Sequence, residues 1–252
     1  MNSKRKKILL EICTASLEDC QAAQEGGADR VELNSALSLG GLTPSLGLLQ
    51  EARQALSIRI IVMIRPRPAG FCYSTAEFTV MQREAELALA HGADGIALGI
   101  LHEDGAIDQV RCASIIKQAA GREIVFHRAF DVTPDASIAL EQLVDLGVTR
   151  VLTSGQESSA YNGATRIAEF IKQAAGRIQI LPAGGINRFT IADVLARTGC
   201  EQVHASLTMA KVDSSVRNRP QVKFGNVAFS EEEKYFVTNR AAVEQLRRML
   251  YY

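Results

Sequence analysis

GGADRVELN (Gly26–Asn34) decides the reading of the fold, because a short glycine-containing turn runs directly into a hydrophobic strand. The pattern returns as HGADGIALG (His91–Gly99), LGVTRVLTS (Leu146–Ser154) and TGCEQVHAS (Thr198–Ser206). Between these echoes lie four more apolar runs: ILLEIC (Ile8–Cys13), IIVMIR (Ile60–Arg65), EIVFHR (Glu123–Arg128) and IQILPA (Ile178–Ala183). Eight strand segments alternating with helical patterns in 252 residues predict an α/β fold, a single (β/α)8 TIM-type barrel. A closed barrel cannot be cut midway, so one domain is expected over residues 1–252. Its working groups should stand at the C-terminal ends of the strands and in the loops that follow.

Helical periodicity fills the gaps. Ser16–Gly26 begins with a capping Ser and has Asp19 three residues on. Pro44–Leu56 opens on Thr43-Pro44, where Pro suits a first turn. Thr75–His91, Asp108–Ala120, Pro134–Leu146, Ser159–Ala175 and Phe189–Thr198 continue the series. An eighth helix, Thr238–Leu250, follows the long connection Thr208–Val237, which reads as a lid, a partial cover or a subunit contact.

Lysine plus arginine number 28 and aspartate plus glutamate 28, so no net charge draws the chain to nucleic acid or to an anionic membrane. The basic leader, residues 1–7, meets a strand-like segment with no apolar signal-peptide core behind it. No run approaches the ~20 apolar residues of a membrane span. The five cysteines (Cys13, Cys20, Cys72, Cys112, Cys200) include no CxxC pair. Together these features predict a cytoplasmic protein with reduced thiols.

Strand residues alternate between the barrel interior and the helix-facing side. In the echoing strands Val31, Ile96, Val151 and Val203 align as an outer set, as do Leu33, Leu98, Thr153 and Ala205. The inner set is then Glu32, Ala97, Leu152 and His204, followed nearer the mouth by Asn34, Gly99, Ser154 and Ser206. The same alternation puts Glu11 with Cys13, Met63 with Arg65, and Val125 with His127 inside. Ionised groups in such an interior must pair or shift their pKa. They form either a structural ion-pair network or a polar ligand pocket, and their place at the binding end of the fold favours the pocket.

Several groups suit an anion. Leu181-Pro182-Ala183-Gly184-Gly185-Ile186 runs a strand into two glycines whose backbone can approach a ligand closely. Thr153-Ser154-Gly155 and Ser206 add donors, and Arg65 and Arg67 of Arg65-Pro66-Arg67-Pro68 are expected to project towards the mouth. His127-Arg128-Ala129-Phe130-Asp131 closes the fifth strand with an imidazole, a guanidinium and a carboxylate. No lysine stands at a strand end, which argues against Schiff-base chemistry. Acid–base chemistry by Glu11, Glu32 or His127, or a divalent ion on those groups, remains.

GGADRVELN, GGLTPS (Gly40–Ser45), IRPR (Ile64–Arg67), FCYS (Phe71–Ser74), FHRAFD (Phe126–Asp131), RVLTSGQ (Arg150–Gln156) and VHAS (Val203–Ser206), in this order, resemble the copper-homeostasis CutC family. The resemblance runs from about Leu10 to Leu207. It implies a TIM-type barrel, a cytosolic and usually oligomeric protein (a homodimer or larger), and copper tolerance or copper binding. It also implies that Cys13 fills the first of two thiol positions for copper(I), a metal that prefers soft ligands, while Asn34 occupies the second. Pro68-Ala69-Gly70 stands where the family has Gly-Gly-Asp, and Gly225 follows Lys223-Phe224 where the family tends to have Arg.

Two functions follow. In the first the chain is a CutC-like copper-homeostasis protein that binds copper(I) through Cys13. In the second it is an enzyme or binding protein for a small anionic or phosphorylated metabolite. There Arg65, Arg67, Arg128, Asp131, Ser154, Gly184, Gly185, His204 and Ser206 contact the ligand, and Glu11, Glu32 and His127 exchange protons.

Overall fold

A computed structural model describes residues 7–224 and 232–251. Eight strands alternate with eight helices: β1 Leu9–Thr14, α1 Leu17–Glu25, β2 Arg30–Leu33, α2 Leu46–Ala55, β3 Arg59–Met63, α3 Thr75–Ala90, β4 Gly95–Leu98 and α4 Gln109–Gln118 form the first half. The second half is β5 Glu123–Phe126, α5 Ala136–Asp145, β6 Arg150–Thr153, α6 Ala164–Ala174, β7 Gln179–Pro182, α7 Ile191–Thr198, β8 Gln202–Ala205 and α8 Arg240–Met249. The strands form one parallel sheet in the order β7-β6-β5-β4-β3-β2-β1-β8. Its two edges are β7 and β8, and across that seam Gln202 Nε2 donates to Gln179 Oε1 at 3.1 Å. The result is the expected barrel, nearly closed.

The alternation of side chains sorts as the sequence implies. Outward-facing Val31, Leu33, Ile96, Leu98, Val151, Val203 and Ala205 join the large core under the helices. A separate small core of Ile61, Met63, Ala97, Val125, Leu152, Leu181 and Ala183 fills the barrel itself. Two hydrophobic cores separated by one strand thickness are what a pleated sheet closed on itself produces.

The interior continues below that apolar layer into a polar one. Arg30 and Arg150 are buried, and Gln202 Oε1 accepts from Arg30 Nη2 and from Arg150 Nε, each at 3.1 Å. Arg150 Nη2 also donates to Glu123 Oε2 at 2.7 Å. These residues stand two positions before Glu32, Leu152 and His204, so they share the inward register. The sequence reading stopped at the first apolar residue of each strand and passed over them.

Helix starts differ where a better cap lies further along. Pro44 stays outside α2, and Ser45 caps it by accepting from the Leu48 amide at 3.2 Å. α5 begins after Asp135, whose carboxylate accepts from the amides of Ser137 and Ile138 at 2.9 and 3.0 Å. α6 begins only after Gly163, five residues beyond the expected start, because residues 159–163 form a turn against Ser154.

The long connection before α8 contains an antiparallel hairpin of β9 (Thr208–Val212) and β10 (Lys234–Thr238). It docks on α1, where Asp19 Oδ1 accepts from the Thr238 amide. The leader residues 1–6 and residues 225–231, including Gly225, lie outside the described residues.

The barrel wall tolerates no side chain at Gly95. A Cβ there would sit 2.4 Å from the Glu123 carbonyl oxygen of the neighbouring strand. Gly95→Ala should therefore cost about 2–3 kcal/mol, the upper range for overpacking a rigid interior, as read by the urea midpoint. An unchanged midpoint would show that the β4–β5 contact yields easily.

Candidate functional site

β1 lies between β2 and β8, and its inward residues Glu11 and Cys13 face side chains from both neighbours. Glu11 is buried. Its Oε2 accepts from Arg30 Nε in a buried ion pair, and its Oε1 meets His204 Nδ1 at 2.7 Å. Burial alone would push the Glu11 carboxyl up. The Arg30 charge, the hydrogen bond and charge of His204, and the Arg150 charge outweigh it and hold Glu11 well below the usual carboxylate range.

Above this pair stand Cys13 and Glu32, paired across the two strands. Burial, with repulsion from Glu11, raises the Glu32 carboxyl above its ordinary range against the pull of His204. His204 is displaced upward too. Its burial is overcome by the charge of Glu32 and by the hydrogen bond and charge of Glu11. Burial, reinforced by Glu32 and Glu11, holds the Cys13 thiol well above its normal value. Asn34 Nδ2 knits the group together, donating to Glu32 Oε2 at 3.0 Å and to Cys13 Sγ at 3.4 Å. Among the described residues, Cys13, Glu32 and His204 bring their potential ligand atoms within 4.8 Å of one another.

His127 follows β5 on the other side of the mouth. Its Nδ1 accepts from the Ala129 amide at 3.1 Å, which leaves the proton on Nε2, and Nε2 is buried without a partner. Burial, together with the Arg65 charge, pushes its pKa down to about 3. Arg65 itself is buried and fixed by carbonyls: Nη1 donates to Leu39 and Gly41 at 3.1 and 2.9 Å, and Nη2 to Ala69 at 2.7 Å. The Phe71 ring covers both groups, 5.3 Å from the Arg65 guanidinium carbon and 5.0 Å from the His127 ring.

Two adjoining cavities open among these residues. One of about 340 Å³ is lined by Cys13, Glu32, Asn34, Arg65, His127, Arg128 and Asp131, with Met63, Phe71 and Leu152 as its apolar wall. The other, about 260 Å³, is lined by Arg128, Gly184, Gly185, Asn187, His204 and Ser206. Arg128, Leu152 and His204 line both.

Most of the residues singled out in the sequence thus converge on one mouth. Glu11 lies beneath it, supporting His204. Ser154 supports as well, its Oγ accepting from Arg128 Nη2 at 2.8 Å and donating to Asp131 Oδ2 at 2.9 Å. Arg67 departs from expectation and lines neither cavity. It pairs with Glu77, donates to the carbonyls of Pro68, Gly70 and Cys72, and lies 5.0 Å from the Tyr73 ring, so it braces its own loop. Among the described residues of the long connection, none lines either cavity. The sequence reading missed Phe71 as a cover, since a loop aromatic has no periodicity to mark it.

His127 makes stability depend on pH. The folded chain keeps it neutral down to about pH 3, whereas an unfolded His takes up a proton near its ordinary value of 6.5. Between those values the unfolded state binds the extra proton, so stability present above pH 6.5 is lost as pH falls. Relative to His127→Gln, the native chain should lose about 2–3 kcal/mol more between pH 7 and pH 4, measured by urea unfolding. Parallel losses in the two proteins would show that His127 is not held neutral.

Comparison with known proteins places this site in a family. The sequence model of the CutC family matches residues 8–209. A CutC family protein of Treponema denticola is 43% identical over 245 residues, covering 97% of this chain and 98% of its own. The human protein named copper homeostasis protein cutC homolog is 44% identical over 212 residues, 84% of this chain and 77% of its own. The crystal structure of CutC from Streptococcus agalactiae superposes with a TM-score of 0.75 at 34% identity, covering 78% of this chain and 97% of that one. Thiamine phosphate pyrophosphorylase from Pyrococcus furiosus, at 17% identity and a TM-score of 0.58, shares the fold alone. No helix among the described residues is long and apolar enough to cross a membrane.

Proposed function

Because the chain belongs to the CutC family, we propose that it serves copper homeostasis by holding a copper ion at the barrel mouth on Cys13, Glu32 and His204. The observation that carries this reading is the approach of one sulfur, one carboxylate oxygen and one imidazole nitrogen to within 4.8 Å of each other. A thiolate and an imidazole suit copper. Glu32 adds a harder ligand and a charge that offsets the ion.

The surroundings support the same reading. Glu11 takes Nδ1 of His204, so Nε2 is the nitrogen left for a metal, and a carboxylate behind a ligating imidazole fixes its ring and tautomer. Asn34 stands where relatives of this family are expected to carry a thiol. Here its amide donates to two of the three ligands, holding Glu32 beside the Cys13 sulfur. The thiol must lose its proton before it can bind, and its neighbours oppose that loss. Copper affinity should therefore rise with pH.

A copper(I) titration against a competing chelator, under reducing conditions, tests the site. The native chain should bind one ion, and Cys13→Ser should weaken that binding at least a hundredfold. Equal affinity in the two proteins would remove Cys13 from the site and leave the copper reading without its soft ligand. We expect cytoplasmic, self-associating behaviour on the same family premise. Gel filtration at the native mass of a monomer would contradict the second part.

Asn34→Cys should bring a second thiol beside Cys13, whose sulfur the Asn34 side chain already contacts. Copper(I) affinity is then expected to increase at least tenfold. A decrease would mean that the Asn34 hydrogen bonds matter more to the site than a second soft ligand.

A further inference from the structure

We propose that the mouth also binds a phosphate monoester of a small polar organic body, with the phosphate between the Gly184–Gly185 turn, Arg128 and Ser206 and the body in the adjoining cavity. The phosphate contacts differ from the copper ligands, although the body would lie in the cavity that Cys13, Glu32 and His204 line, and the inference does not depend on the copper reading.

The turn after β7 is built to show its amides. Gly184 and Gly185 have φ of +92° and +72°, a left-handed conformation that costs most side chains energy. Their carbonyls are turned into the loop: Gly184 O accepts from the Ala160 amide at 2.9 Å, and Gly185 O from Asn187 Nδ2 at 3.1 Å and Thr190 Oγ1 at 2.9 Å. Successive amides left pointing out of such a turn form a concave site for an anion.

Arg128 faces that turn. A Cβ placed on Gly184 would lie 3.7 Å from Arg128 Nη1, at ordinary contact distance, so the guanidinium borders the turn directly. Arg128 is held for the purpose on its other two nitrogens, with Nε on Asp131 Oδ2 and Nη2 on Ser154 Oγ, both at 2.8 Å. Nη1 has no acceptor among the described residues. Asp131 accepts in addition from the Ser154 amide at 3.0 Å, from Thr153 Oγ1 and from the Gln156 amide, so its charge is compensated within the loop. Ser206 is exposed at the end of β8 and lines the same cavity.

Two amides without an acceptor among the described residues, a fixed guanidinium and a hydroxyl suit a tetrahedral oxyanion. The cavity holding them, about 260 Å³, shares Arg128, Leu152 and His204 with the larger one of about 340 Å³. That second space has an apolar wall of Met63, Phe71 and Leu152 and a polar side at Glu32, whose Oε1 has no partner. A short carbon body bearing hydroxyls matches both walls, where a bare inorganic anion would fill only the first.

The test uses the native, metal-free chain in the presence of a chelator, titrated calorimetrically with inorganic phosphate, glycerol 3-phosphate and glycerol. Glycerol 3-phosphate should bind at least tenfold more tightly than inorganic phosphate, and glycerol should give no heat of binding. Arg128→Gln should weaken glycerol 3-phosphate at least tenfold, while Arg83→Gln, on the exposed face of α3, should leave it unchanged. Arg128 also braces the loop after β6, so Ser206→Asp provides the second variant. Ser206 makes no hydrogen bond among the described residues, and a carboxylate there should abolish binding by repulsion. Absence of glycerol 3-phosphate binding, or binding that survives both Arg128→Gln and Ser206→Asp, would overturn the site. Equal affinities for phosphate and its glycerol ester would overturn the monoester assignment. Copper titrations play no part in these outcomes, so the two readings fail separately.

Discussion

The buried carboxylate of Glu11 is the constraint on which the mouth depends. It is ionised inside the barrel because Arg30 reaches one oxygen from β2 and His204 meets the other from β8. An ion taken this far from water persists only when paired and hydrogen-bonded, and removing one partner typically costs about 3–5 kcal/mol. Three neighbouring strands are thereby tied through one side chain. The same contact fixes the His204 ring, and His204 then shares its field with Glu32 and Cys13.

Polarity along the barrel axis follows from strand register. Below the apolar layer, Arg30, Arg150, Gln202, Gln179 and Glu123 hydrogen-bond to one another and close the N-terminal end. Above it, Glu32, His127, Arg65 and Arg128 surround open space, and the first three each keep a buried polar atom without a partner among the described residues. The lower layer leaves only Arg150 Nη1 buried without a partner among the described residues, whereas the upper one leaves Glu32 Oε1, Asn34 Oδ1, Arg65 Nε and His127 Nε2. That difference of degree, together with the open space at the upper end, distinguishes a structural network from a binding site within a single interior.

Period-two alternation made most of this legible. Once Val31, Ile96, Val151 and Val203 are read as facing helices, Glu32, Leu152 and His204 must face inward, and the structure puts them there. The rule works because a strand allows its side chains only two directions. It gave no direction for Arg67, which leaves β3 behind and follows a proline-bounded loop back onto Glu77. Nor did it mark Phe71, whose position over Arg65 and His127 is a matter of loop path. Arg30 and Arg150 were within its reach. They stand one inward step before Glu32 and Leu152, where the inner set read from the sequence begins.

Asn34 shows how a site can keep its shape while changing its chemistry. It is inward, buried, and next to both Cys13 and Glu32, where a thiol would be a ligand. An amide there cannot become an anion, so it adds no charge to a group that already contains two carboxylates. What it contributes is donors, and the acceptors it serves are the Cys13 sulfur and the Glu32 carboxylate. The hydrogen bond from Asn34 favours the ionised form of Glu32, the form whose charge opposes ionisation of the Cys13 thiol. The amide therefore acts through its two neighbours: it holds the Glu32 carboxylate beside the Cys13 sulfur, although it offers a positive ion no soft atom of its own.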